Sequence, residues 1–146
     1  MLYLDTSALT KLVVHEDETD ALRSFLVERA DERLVTSALA RTELRRAALR
    51  FADRRDVTPE QAQEVANEVT MLLRRLDLVR VGYDVLDRAG AQPPPQLRSL
   101  DAIHLATAVR LGSQVHAAVV YDRRLADAMR HAGLAVAAPG ESANVE

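Results

Sequence analysis

Met1-Leu2-Tyr3-Leu4-Asp5-Thr6-Ser7-Ala8-Leu9 opens the chain and decides how the rest of it is read. Leu2, Tyr3 and Leu4 form a short apolar run that stops at an acid, and Thr6 and Ser7 then mark a helix start. The pattern is strand, acid, helix. Open α/β sheets place their ligands in the crevice beyond the carboxyl ends of the strands, which is where such an acid sits. An aspartate at that turn is also a favoured helix cap, so this stretch alone supports either role. The pattern recurs at Ala117-Ala118-Val119-Val120-Tyr121-Asp122, where an apolar run again closes on an acid ahead of a helical segment. Two such acids make a candidate site.

Working outward, the 146 residues fit one domain, long enough to bury roughly two thirds of the surface of its unfolded form. With 48% hydrophobic and 28% charged residues, the composition is that of a soluble globular protein. No cysteine is present, which excludes disulfides, thiolate nucleophiles and cysteine-based zinc sites and suits a reducing cytoplasm. An acid at position 5 precedes any long apolar segment, and no window is apolar enough to cross a bilayer. The expected location is therefore cytoplasmic. A formal net charge of −3 argues against a whole-surface grip on nucleic acid and leaves a local basic face as the alternative. Lys11 is the only lysine, so chemistry that needs one elsewhere is excluded.

Between the two acids, strands and helices alternate. Helices are expected over residues 7–14, 19–30, 38–54, from the Thr58-Pro59-Glu60-Gln61 capping box to about 76, 84–90, 99–111 and 123–131. Ser37 and Ser99 read as caps, and Gly112 and Gly133 as terminators. Strands are expected over 2–4, 33–36, 78–81, the run up to Asp122, and 134–137. The alternation predicts a three-layer α/β domain with a central, mostly parallel sheet of four to five strands flanked by helices. One domain spans residues 1–138, and the small, polar stretch 139–146 reads as a flexible tail.

Two further acids stand out. Glu43 falls on the apolar stripe formed by Ala40, Leu44, Ala47 and Phe51, and a lone buried carboxylate must be paired, protonated or bound to a cation. Ala40 and Ala47 leave space for a ligand; an ion pair with Arg46 or Arg50 is the plainer alternative. Asp101 lies in the first turn of an almost wholly apolar helix, where the macrodipole alone would favour it. His104 lies one turn later on the same face and reads as a packing histidine.

All strands of a parallel sheet deliver their carboxyl ends to one edge, so Asp5, Glu43, Asp101 and Asp122 can reach one cleft. Four carboxylates converging within a few ångströms repel one another unless a cation intervenes. An oxygen-only set suits a hard divalent ion, Mg²⁺ or Mn²⁺, and the most direct use of such an ion is phosphoryl transfer to water. Arg41, Arg45, Arg46 and Arg50, with Arg98, Arg123 and Arg124 beside the other acids, can line a phosphate-binding rim or simply a solvated surface. Tyr3, Tyr83, Tyr121, Phe25 and Phe51 are the only aromatics, and most read as buried, which favours recognition of RNA by shape over base stacking.

Four segments, Leu4-Asp5-Thr6-Ser7-Ala8-Leu9, Thr42-Glu43-Leu44, the run from Ser99 to Ala108, and the run from Val119 to Ala126, resemble the successive motifs of PIN-domain ribonucleases. The short single-domain form resembles the VapC toxins of bacterial toxin–antitoxin pairs. The resemblance implies a Mg²⁺-dependent endoribonuclease, usually a homodimer, silenced by a small antitoxin. It further implies that Asp5 and Asp101 are the principal metal ligands, that Glu43 and Asp122 complete the acidic pocket, and that Thr6 or Ser7 orients the metal's water. Two rivals are a non-catalytic PIN-like module that binds protein or RNA, and an aspartyl-phosphate phosphatase. The latter wants a second Asp two residues after the first and a lysine from a later loop; Ser7 and the position of Lys11 meet neither need.

Overall fold

The apolar opening run is the middle strand of the sheet. In the computed structural model, which describes residues 1–141, β1 (Leu2–Leu4) pairs with β2 (Leu34–Ser37) on one side and with β4 (Ala117–Val119) on the other. β3 (Asp77–Val79) extends the sheet beyond β2 and β5 (Val136–Ala137) beyond β4, giving the order β3-β2-β1-β4-β5 with every pairing parallel. A central parallel strand is covered on both faces, so Leu2, Tyr3 and Leu4 are apolar without alternation, and none exceeds 1% exposure.

Side chains leave a strand on alternate faces. Leu2 and Leu4 therefore enter one core layer with Leu9, Leu22, Leu44, Val69 and Leu73. This layer is built on α1 (Thr6–Val13), α2 (Thr19–Val27), α3 (Ala40–Ala52) and α4 (Pro59–Arg75). Tyr3 enters the opposite layer with Val35, Leu105, Val120, Leu125 and Met129, packed by α6 (Ser99–Leu111) and α7 (Arg123–His131). A smaller cluster of Val85, Ala89, Ala102 and Ala106 seats α5 (Tyr83–Gly90) on α6. The expected three-layer architecture is present, with five strands.

Local signals place most boundaries. Thr58 and Gln61 form the expected reciprocal capping box, and Gly112 and Gly133 follow α6 and α7 with φ of 57° and 83°, a region that a side chain would disfavour. Ser37 departs from expectation. It is the last residue of β2, not the cap of α3, because Ala38 N–H continues the ladder to Val79 carbonyl at 2.9 Å and so holds the chain extended past it. Ser99 is likewise the first residue of α6; Arg98 holds the cap position without a side-chain bond. The expected tail starts attached to the domain: Tyr121 hydroxyl donates to Pro139 carbonyl at 2.8 Å, and Glu141 N–H donates to Ala138 carbonyl at 3.1 Å. Residues 142–146 of that tail lie outside the described residues.

Candidate active site

The parallel register, with Leu4 opposite Val119, delivers the ends of β1 and β4 to the same edge, and Asp5 N–H donates to Val119 carbonyl at 3.2 Å. Asp5 caps α1: its Oδ1 accepts from Ala8 N–H at 3.0 Å and from the Ser7 hydroxyl at 2.6 Å, and the residue is 4% exposed. Ser7 Oγ in turn accepts from Tyr121 N–H at 2.9 Å, so one hydroxyl joins the end of β1 to the end of β4. Asp122 caps α7, its Oδ1 accepting from Leu125 N–H at 3.0 Å. Capping and a place at the sheet edge thus coexist in both acids.

Asp101 and Glu43 come from helices on opposite faces of the sheet. His104, one turn after Asp101 on α6 and buried, reaches between them. Its Nε2 lies 3.0 Å from Glu43 Oε1 on α3 and 3.2 Å from Thr6 Oγ1 on α1, and its Nδ1 lies 2.8 Å from Tyr3 hydroxyl on β1. The Tyr3 and His104 rings meet edge to face, with centroids 6.1 Å apart. The alternative of an arginine ion pair for Glu43 is not seen; its partner is a histidine. Arg46 and Arg50 are exposed and form no ion pair among the described residues, whereas His104 is already held inside the core.

Burial pushes the Asp5 carboxyl above its ordinary value, against the opposing effect of the Ser7 and Ala8 hydrogen bonds. Asp101 is also pushed up, first by burial and then by the charge of Asp122, with Glu43 adding to it and His104 and Arg98 opposing. Burial acts upward on Glu43 too, but the hydrogen bond and charge of His104, with help from Thr6 and Arg50, leave it below the usual glutamate range. Burial and the charge of Asp5 hold the Tyr3 phenol well above its ordinary value. Asp101, Asp122 and Glu43 therefore share one electrostatic environment, and so do Tyr3, Asp5 and Glu43.

Proximity stops short of a closed shell. Among the described residues, no group of three or more histidine or acidic side chains is close enough together to hold a metal ion. The expected convergence within a few ångströms is thus corrected to a looser clustering. Asp5 and Asp122 each also hold a helix N-terminus, and Glu43 is bonded to His104. The donor chemistry still fits a hard cation. Every candidate ligand is a carboxylate oxygen, and Asp101 accepts no hydrogen bond from a described residue while the acids around it raise its proton affinity.

Arg41, Arg45, Arg46, Arg50, Arg98, Arg123 and Arg124 are all exposed, and among the described residues none of them forms an ion pair. Arg98 and Arg123 stand close in sequence to Asp101 and Asp122. Both hydroxyls expected to orient water are engaged by protein groups, Thr6 by His104 and Ser7 by Asp5 and Tyr121. Tyr83 departs from the expectation of buried aromatics: at the start of α5 it is 85% exposed. A groove of about 900 Å³ lies away from the acids, where Leu34 and Asp77 begin β2 and β3, with Leu26, Val27 and Met71 along it. The sequence reading found His104 as a buried, satisfied side chain but not as the partner of Glu43. The available signal was its position one turn from Asp101, set beside an inward-facing glutamate without an assigned partner.

The PIN domain family model matches residues 2–130. The chain belongs to the PIN-domain family, in its VapC branch. It is 45% identical over 138 residues to ribonuclease VapC46 of Mycobacterium tuberculosis, covering 94% of this chain and 97% of the relative. Ribonuclease VapC35 of the same organism is 45% identical over 144 residues, 97% of this chain and 99% of the relative. Ribonuclease VapC47 is 39% identical over 142 residues, 96% and 98% respectively.

Proposed function

We propose that the chain is an endoribonuclease of the VapC type, the toxin of a toxin–antitoxin pair, hydrolysing RNA phosphodiester bonds with water and Mg²⁺, which Mn²⁺ can replace. The observation that carries this reading is the gathering of acids at one sheet edge: Asp5 follows β1, which ends beside β4, Asp122 caps the helix after β4, and Asp101 lies close enough to Asp122 and Glu43 to feel the charge of both. Asp5 and Asp101 hold the ion, and Glu43 and Asp122 complete the negative pocket. The cation supplies Lewis acidity to water and to the phosphate oxygens on which charge develops. The chain's own groups keep the acids in place: Ser7 fixes Asp5 relative to the end of β4, and Thr6 and His104 hold Glu43. Arg41, Arg45, Arg46, Arg98, Arg123 and Arg124 contact backbone phosphates around a pocket that is itself negative. RNA is the substrate, a VapB-like antitoxin the partner, a homodimer the assembly and the cytoplasm the location. Residues 1–138 form the nuclease domain. Among the described residues no helix is long and apolar enough to cross a membrane.

The test is incubation of purified, antitoxin-free protein with total RNA and Mg²⁺, followed by mapping of the new ends. Cleavage is expected with the parent chain and not with Asp5→Ala, Asp101→Asn or added EDTA. Expression alone is expected to arrest growth, with rescue by the small gene product encoded beside it; unimpaired growth with Asp101 intact overturns the toxin assignment. The absence of a closed three-acid shell among the described residues favours a second reading, a PIN-like module that only binds. Such a module keeps its activity in Asp101→Asn and ignores EDTA.

A further inference from the structure

His104 is 2% exposed, yet its ring contacts polar side chains from three other elements: Tyr3 of β1, Thr6 of α1 and Glu43 of α3. A buried imidazole needs one partner for each ring nitrogen, and here Nε2 has two, Thr6 and Glu43, from separate helices. The donor and acceptor inventory decides the direction of the bond to Glu43. An ionised Glu43 only accepts, so Nε2 carries the proton and donates to Oε1, with Thr6 Oγ1 beside it. At the other end of the ring, Nδ1 lies 2.8 Å from the Tyr3 hydroxyl. The three groups form one chain, phenol to imidazole to carboxylate. Tyr3 is 0% exposed on the central strand, so the relay starts from a rigid part of the molecule, and it ends on a half-buried carboxylate among the acids.

We propose that His104 is a positioning residue for Glu43: its ring, oriented by the Tyr3 hydroxyl, holds the carboxylate in one orientation toward the acid pocket and thereby sets the pocket's affinity for a divalent cation. The role rests on the nuclease reading above for its purpose but not for its geometry. Because His104 and Asp101 are one turn apart on α6, the same ring that grips Glu43 also fixes how the α6 acid approaches the α3 acid. Residues that orient a ligand from behind are worth about 10- to 100-fold in metal affinity or activity.

The test uses the full chain with Mn²⁺ as the probe, measured by calorimetry without RNA, together with ¹⁵N NMR of the histidine rings in the metal-free protein. The His104 ring is expected to carry a proton on Nε2, facing Glu43. His104→Leu is expected to weaken Mn²⁺ binding by about 10- to 100-fold. His104→Gln, whose amide can donate from near the Nε2 position, is expected to restore most of that loss. In RNA cleavage, the metal concentration at half saturation is expected to rise in His104→Leu by more than the saturated rate falls. Unchanged Mn²⁺ affinity in His104→Leu, absence of rescue by His104→Gln, or a ring without a proton on Nε2 overturns the proposal. If His104→Leu does not fold, Tyr3→Phe carries the test, because it keeps the ring packing and removes only the hydroxyl. It is expected to lower Mn²⁺ affinity; unchanged affinity overturns the role. The two readings fail separately. A parent chain that neither binds Mn²⁺ nor cleaves RNA defeats the nuclease assignment, whereas a parent that does both, with His104→Leu indistinguishable from it, defeats only the role of His104.

Discussion

Asp5 does two jobs that pull against each other. As a cap it satisfies α1, but its ionised form is disfavoured by burial, so its proton is bound more tightly in the folded chain than in the unfolded one. Such a group contributes stability below its ordinary pKa, and that contribution is lost as the pH rises through the raised folded value. Asp101 acts in the same direction. Asp5→Asn keeps an oxygen to accept from Ser7 and Ala8 and removes the buried charge. It is therefore expected to raise the thermal midpoint at pH 7, to flatten the fall in stability between mildly acidic and neutral pH, and to abolish RNA cleavage; calorimetry across pH and a cleavage assay check this. Ser7 has the opposite profile. Ser7→Ala leaves the Tyr121 N–H without its acceptor and Asp5 without its shortest bond, and is expected to lower stability by about 1–3 kcal/mol in urea titration. At this scale the places of Asp5 after β1 and Asp122 before α7 were legible, since an apolar run ending in an acid is a local pattern. It did not show the partner of Glu43, because a contact between positions 61 apart leaves no local trace.

Element boundaries were legible where one side chain closes a local hydrogen-bond ring. The Thr58 and Gln61 box is the clearest instance, and Thr58→Ala is expected to lower stability by about 1 kcal/mol while leaving cleavage intact, because the start of α4 contributes no residue to the acid pocket. Equilibrium unfolding beside a cleavage assay checks it. Ser37 and Ser99 differ from expectation for separate reasons. β2 pairing carries the chain past Ser37, whose hydroxyl still accepts from Leu39 N–H at 3.3 Å just ahead of α3, whereas α6 simply starts one residue earlier, at Ser99. The all-parallel pairing followed from alternation of strands with helices, and the shortness of the strands, two to four residues each, explains why their ends moved by a residue or two.

Across the whole molecule, the sheet topology gathers acids from separate elements toward one edge. A ligand that binds the folded chain and not the unfolded one stabilises it by about 2.7 kcal/mol at one hundred times its Kd. Mg²⁺ or Mn²⁺ is therefore expected to raise the thermal midpoint of the parent chain and to leave that of Asp101→Asn unmoved; equal shifts in both would place binding elsewhere. The central place of β1 has one more consequence. It pairs with β4, and the Ser7 hydroxyl that locks Asp5 meets a backbone amide 114 positions further on. Contacts that distant form late, after most of the loop between them has been ordered. β1 can therefore pair with β2 early in folding, whereas the lock between Ser7 and Tyr121 waits for the segment around β4 to take its place. A candidate site closed in this way is among the last parts of the fold to be completed.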